Sequence, residues 1–290
     1  MPGQDMTRCY ASFGAGTQST ALAMLCVNRD PRLLEVTNGV VPEVYIFADT
    51  GDEPEAVYAH LELMKALIPI VVCFHIKGHG LSESMEKDAI DGKTSGMATP
   101  PLFTTGSDGK AVPIRRTCTT DFKVRPIERA AKERFGVIRG KPPATGRIIE
   151  WLGISYDERQ RQKYRTDKWR TTCHPLVDML WTRGHCEDYI RQQVYADGSP
   201  MAIVRSACTF CPFRSRSEWS ALTPDEFEHA VGVERGIHTA HAANGKYAGV
   251  KGRPYLHRSL SPLDEVDLTD PDEDQMGFSF DDECSGVCGV

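Results

Sequence analysis

Two sets of residues in this chain could do chemistry: a group of thiols and a loop of small residues. Cys208-Thr209-Phe210-Cys211 sets two sulfurs one short turn apart, within reach of one metal. Cys118 precedes a run with helical period and would add a third thiolate at a helix start, where the dipole lowers a thiol's pKa. Three spaced thiolates suit a metal centre, with an iron-sulfur cluster or zinc as the occupant, since both take sulfur ligands. The loop is Ser12-Phe13-Gly14-Ala15-Gly16-Thr17-Gln18-Ser19-Thr20. It lies between a strand pattern and a helix pattern, where unpaired amides and the positive helix end favour phosphate. Small residues there let backbone approach a ligand, and Thr17, Ser19 and Thr20 add hydroxyls.

These groups need a scaffold, and the sequence predicts an α/β one. Arg8 to Phe13 reads as a strand before the loop, and Ser19 to Val27 as the helix after it. The apolar run Val44 to Ala48 fits a strand buried on both faces and ends at Asp49-Thr50-Gly51. Pro54 opens a helix with Val57, Leu61, Met64 and Ile68 on one side, and Ile70 to Ile76 is a further strand. Residues 77–114 show no sustained period and are expected to form a long mobile insertion over the site. Asp121 is expected to cap a helix bearing Val124, Ile127, Ala131 and Phe135, with another strand over Arg147 to Ser155. Helices are also expected over Asp188 to Val194 and Pro224 to Ala243. Strands alternating with helices predict a Rossmann-like parallel sheet with helices on both faces, followed by a cysteine-rich C-terminal extension. The expected division is a nucleotide-binding domain over residues 1–200, a cysteine-loop and helical extension over 201–258, and an acidic mobile tail over 259–290.

The chain has 290 residues, 40% hydrophobic and 26% charged, which excludes disordered and fibrous classes. It contains no apolar run of membrane-spanning length and opens without a signal-like pattern, so a cytoplasmic, reducing location without membrane contact is expected. The net charge of -6 is uneven. Residues 264–290 carry ten acidic side chains and no Lys or Arg, leaving the body positive. Residues 110–172 hold 17 Lys and Arg against 7 Asp and Glu, a surplus that would attract phosphates or else form a solvated, ion-paired helical face. Cys288 sits with Cys284 in the tail, where Asp281, Asp282 and Glu283 would keep a thiol protonated until it docks on the basic body. Cys9, Cys26 and Cys73 fall in apolar patterns and read as small buried hydrophobes.

Six segments in order over residues 8–220 resemble the PP-loop ATP pyrophosphatases and their relatives, the adenylylsulfate and phosphoadenylylsulfate reductases. The loop is the first, with Gly14 and Gln18 where the ATP-using branch has Ser and Asp; its Ser12-Phe13-Gly14 opening is similar to the reductases. Asp49-Thr50-Gly51 with Pro54-Glu55 resembles the element after the second strand. Cys118 to Ile127 resembles the Cys-Cys-x-x-Arg-Lys-Val-x-Pro-Leu segment, with Thr119 in place of the second cysteine. Gly153-Ile154-Ser155 with Asp157, Glu158 and Arg161 is similar to an element that contacts phosphate or sulfate, and His174 to Asp178 is similar to Asn-Pro-Leu-Ile-Asp. The cysteine pair at 208 and 211 completes the set.

The resemblance implies a nucleotide site at residues 12–20, Asp49, Thr50, Gly51, Gly153 and Arg161. It implies a [4Fe-4S] cluster on Cys118, Cys208 and Cys211, with Cys284 or an open iron as the fourth position. The tail is similar to the reductases' Glu-Cys-Gly-aliphatic terminus, which implies a reactive Cys288. The expected function is sulfur transfer to a nucleic acid acceptor, tRNA or DNA, held by residues 110–172. ATP and magnesium would serve activation, a separate protein would donate sulfur or electrons, and a homodimer is compatible with this picture. The alternatives are a sulfonucleotide reductase that releases sulfite through the tail cysteine, and a non-catalytic nucleotide- or nucleic-acid-binding module with structural zinc.

Overall fold

The computed structural model describes residues 8–90, 99–143, 146–162, 167–243, 250 and 252–269. Its strands are β1 (Cys9–Ser12), β2 (Val44–Asp49), β3 (Ile70–Phe74), the hairpin pair β4 (Phe103–Thr105) and β5 (Ala111–Pro113), β6 (Ile148–Leu152) and β7 (Arg170–Cys173). Five of them form one parallel sheet in the order β3-β2-β1-β6-β7. Ser12 lies opposite Ile46 on one side and Leu152 on the other, so β1 is central. The chain builds outward from β1 through β2 and β3, then crosses to β6 on the far side. That reversal of strand order creates the crevice where ligands bind in open parallel sheets.

The helices are α1 (Thr17–Val27), α2 (Pro31–Val36), α3 (Glu55–Lys65), α4 (Leu81–Ile90), α5 (Arg125–Phe135), α6 (Pro175–Asp178), α7 (Arg183–Ile190), α8 (Arg216–Ser220) and α9 (Pro224–Ala242). Side chains alternate along a strand, so each strand feeds two cores. Cys9, Ala11, Tyr45, Phe47 and Trp151 pack with Leu22 of α1, Leu61 of α3 and Ile190 of α7. Tyr10, Ile46, Ala48 and Leu152 pack on the other face with Ile127, Ala131 and Phe135 of α5. Coverage of both faces explains the continuous apolar character of β2. A third cluster joins Cys208, Phe210 and Trp219 to Val231 and Ile237 of α9, and it also takes Leu81, Met85, Leu102 and Phe122. Residues 81–122 therefore share a core with the C-terminal region.

Three local expectations are corrected, one of them the helix expected over Asp188 to Val194, which instead starts at Arg183 behind the Thr182 cap and ends at Ile190. The segment 77–114 contains α4 and the β4–β5 hairpin in addition to loop. The helix escaped detection because Leu81 and Met85 share its buried side with the polar Ser84 and Asp88, which blurs the apolar period. Asp121 does not cap α5. It lies inside a π-helical turn over Thr119–Val124 that runs into α5, and its carboxylate pairs with Arg125 one turn on. Among the described residues no helix is long and apolar enough to cross a membrane.

His60 joins two helices of the first core. Its Nε2 is 2.8 Å from Thr20 Oγ1 in α1, and its Nδ1 is 2.7 Å from the Tyr195 hydroxyl. Burial among neutral partners pushes the imidazole pKa from 6.5 down to about 4. The unfolded chain thus binds the extra proton first. Stability is full above about pH 6.5 and falls toward pH 4, by up to about 3 kcal/mol from this residue. In urea unfolding at pH 7 and pH 4.5, His60→Gln is expected to remove that share of the acid loss. An unchanged difference between the two pH values would assign it to other groups.

Candidate functional site

The loop after β1 occupies the crevice at the strand-order reversal. Gly16 precedes α1 in extended conformation, its N–H meets Ser19 Oγ at 3.2 Å, and its carbonyl accepts the Thr20 N–H at 2.9 Å. Ala15 holds a left-handed φ of 55° and is fully buried, a conformation that costs a side-chain-bearing residue free energy and persists only where neighbours enforce it. Ser12 Oγ donates to Glu150 on β6 at 3.1 Å, which fixes the loop's start. Gly153 follows β6 with almost no room beside it: a Cβ there would lie 3.1 Å from Ser19 N and 3.2 Å from its Cα. Within the loop Gly14 and Ser19 are half-exposed, as is Gly153, and the other loop residues are buried. The open approach to the α1 amides therefore runs over Gly14 and Ser19.

The loop hydroxyls are engaged within the fold. Thr17 Oγ1 donates to the Val204 carbonyl at 3.5 Å, Thr20 meets His60, and Ser19 Oγ bonds the Gly16 backbone. The loop thus offers a ligand its backbone. Gln18 Nε2 donates to Glu158 Oε2 at 3.2 Å, and Arg161 Nη1 pairs with Glu158 Oε1 at 3.0 Å. Glu158 joins two of the sequence-predicted residues, and burial raises its pKa against the pull of Arg161. A carboxylate on these two donors occupies the kind of position a phosphate or sulfate oxygen would take.

Asp49, Thr50 and Gly51 end β2 beside this crevice. Gly51 has a φ of 76°, and a Cβ on it would lie 2.8 Å from Gly80 Cα, so this turn admits only glycine. Asp49 Oδ1 accepts the Gly51 N–H at 2.7 Å and the Tyr58 hydroxyl at 2.8 Å. Thr50 Oγ1 lies 3.4 Å from Cys208 Sγ and 3.3 Å from Glu53 Oε1. Glu53 is fully buried, pairs with buried Lys123 at 3.0 Å, and accepts from Ser206 Oγ at 3.3 Å. Ser206 also packs against Gly16. The strand of chain leading to Cys208 thereby passes between the loop and the β2 turn.

The three predicted thiols of the body, Cys118, Cys208 and Cys211, share one hydrophobic cluster, and the Cys118 and Cys211 sulfurs are near enough to act on each other electrostatically. Burial, with Cys211 beside it, pushes Cys118 up to about 11, and burial raises Cys208 well above its ordinary value. Cations surround the thiols: Arg116 and Lys123 act on Cys118, and Arg214 donates to the carbonyls of Ala207, Cys208 and Thr209. Among the described residues no group of three or more His, Cys, Asp and Glu converges closely enough to hold a single metal ion. Thiolates with cations nearby are the donor type that iron-sulfur clusters take, each ligand binding a separate iron atom. Cys284 and Cys288 lie outside the described residues.

Several participants carry no sequence signal as individuals. Glu53, Ser206 and Asp52 act through partners far along the chain. Asp52 takes the Ser82 N–H at 2.9 Å and His229 Nε2 at 3.1 Å, while its carbonyl accepts the Thr209 N–H at 2.8 Å. His229 also packs edge-on against Phe210, so α9 braces the cysteine loop. Of the basic segment, Lys123, Arg161 and Arg170 are buried and ion-paired. No family model and no curated protein matches this sequence.

Proposed function

We propose that this chain is a sulfur-transfer enzyme of the PP-loop type, which binds an adenine nucleotide over residues 12–20 and holds an iron-sulfur cluster on Cys118, Cys208 and Cys211. The observation that carries the reading is the contact of Thr50 with Cys208 together with Ser206 wedged between Gly16 and Glu53. The anion-binding backbone and the thiol group share one wall. When bound there, a cluster would supply sulfide or electrons. The residues of the chain do the rest. The α1 amides, reached over Gly14 and Ser19, hold a phosphate, and Gly153, lacking a Cβ, lets the end of β6 pack against the Ser19 backbone that carries them. Arg161 is released by Glu158 to meet the incoming anion. In the preferred reaction an acceptor oxygen attacks the α-phosphorus of ATP and expels pyrophosphate. A sulfur nucleophile then forms the new bond to the acceptor carbon as AMP leaves with the oxygen. That sulfur is cluster-borne sulfide or the outer sulfur of a Cys288 persulfide; in the second case the acceptor is left in a disulfide with Cys288, and the electron-donor protein supplies the two electrons that cleave it.

The sulfonucleotide reductase reading has one observation in its favour: Gln18 presents an amide, tied to Glu158, where a carboxylate would serve magnesium. Incubation of anaerobically purified protein with ATP or with adenylylsulfates separates the two. Pyrophosphate release is expected for the first and sulfite release for the second. Gly153→Val is expected to abolish the thermal stabilisation that ATP gives the wild type, because the larger side chain would strike the Ser19 backbone. Equal ATP stabilisation of both proteins would remove the loop from the nucleotide site.

A further inference from the structure

The β3 edge and the first half of α5 form a surface that the nucleotide and thiol groups do not use. β3 pairs only with β2 among the described strands, and its sequence Ile70-Val71-Val72-Cys73-Phe74 carries no charge to protect the edge. Val71 is 41% exposed on the α5 face of the strand, Phe74 51% on the opposite face and Ile76 75% just past its end, so the exposed apolar patch wraps this edge. Cations border it. Arg129 of α5 reaches the Phe74 carbonyl at 2.6 Å, Lys77 and Arg129 both act on His75, and Arg125 lies one turn before Arg129. Arg125 pairs with Asp121 at the surface, a contact that phosphate can replace at little cost.

The patch reaches the candidate site. The His75 ring stacks on Phe122 with centroids 4.3 Å apart, and Phe122 shares a cluster with Cys118 and Cys208. The loop after β3 also abuts the β2 turn where Gly80 meets Gly51.

We propose that this surface docks single-stranded nucleic acid, with Phe74 as a stacking platform for a base and Lys77, Arg125 and Arg129 as contacts to the backbone. The inference rests on the nucleic-acid-acceptor reading above and gives that acceptor a place. Exposed aromatic and cation together are what a single strand requires. A second copy of the chain on the same edge would bring a second set of like charges to the seam, whereas a polyanion neutralises the first.

The test uses the full chain and short fluorescein-labelled single-stranded RNA and DNA, read by fluorescence anisotropy. Phe74→Ala is expected to weaken binding roughly 10-fold, the loss of one stacked base. The double variant Arg125→Ala/Arg129→Ala should weaken it and flatten the slope of log K against log salt by about 1.4, for two phosphate contacts. All variants should keep the wild-type thermal shift with ATP. Wild-type affinity in both variants would overturn the proposal. So would ATP stabilisation without any oligonucleotide binding by the wild type, or a Phe74→Ala change from dimer to monomer in sedimentation with oligonucleotide binding intact. Variant-sensitive oligonucleotide binding without ATP stabilisation would uphold this surface and defeat the adenine-nucleotide reading alone.

Discussion

Lys123→Met is expected to destabilise the protein by about 3–5 kcal/mol, because it strands a buried carboxylate. Glu53 has no exposed side-chain surface, and Lys123 Nζ is 3.0 Å from its Oε1. Two hydroxyls also reach it, Thr50 at 3.3 Å and Ser206 at 3.3 Å, but neither offsets a whole charge. The effect should be strongly coupled. In Lys123→Met/Glu53→Gln the charge disappears, the amide oxygen keeps one hydroxyl donor, and the amide NH2 donates to the other hydroxyl oxygen, so most of the loss should return. Urea unfolding of the four proteins of the cycle measures this. A single-variant loss under about 1 kcal/mol, or a double variant no better than Lys123→Met, would show that water already solvates the pair. The position matters for function because the pair joins the turn after β2 to the π-helical turn after Cys118. Its loss should also loosen the thiol group, raising the rate at which Cys118 and Cys208 react with a thiol reagent in the native state.

The central strands and the loop were legible because their signals are local. Val44 to Ala48 is apolar without a break, and the small residues of 14–16 sit between a strand and a helix; both patterns survive in β2 and in the turn into α1. Cys208 and Cys211 announce themselves by spacing. Glu53, Ser206 and Asp52 do not, since their roles depend on Lys123, Gly16 and His229, tens to nearly two hundred positions away. The basic surplus of residues 110–172 hides a distinction for the same reason. Composition counts Lys123, Arg161 and Arg170 as surface charge, whereas each meets a carboxylate inside the fold. The sequence offers the hydroxyls of Thr17 and Thr20 as ligand donors, and only the packing of Val204 and His60 reveals that they are taken.

Arg170→Met should produce a loss of the same order, about 3–5 kcal/mol, on the opposite side of the sheet centre. The guanidinium is fully buried beneath the loop. Its Nη1 is 3.4 Å from Glu150 Oε2 and donates to the Tyr10 hydroxyl at 3.2 Å, its Nε donates to Asp167 at 2.9 Å, and Nη2 pairs with Glu128. Burial works against its charge, yet Glu150, Tyr10 and Glu128 raise its pKa further, so it stays cationic at every pH the fold survives. Lysine cannot replace a planar fork that serves four partners, so Arg170→Lys should recover only part of the loss. Removing Arg170 leaves Glu150 almost fully buried without its cation, and Glu150 also accepts from Ser12, which opens the loop after β1. The substitution is therefore expected to weaken ATP-dependent thermal stabilisation as well as the fold. Arg170→Met/Glu150→Gln separates the two effects. Restored urea stability with restored ATP stabilisation would locate the damage in the stranded carboxylate. Restored stability without ATP stabilisation would mean that the Glu150 charge itself holds Ser12 and the loop in their binding geometry.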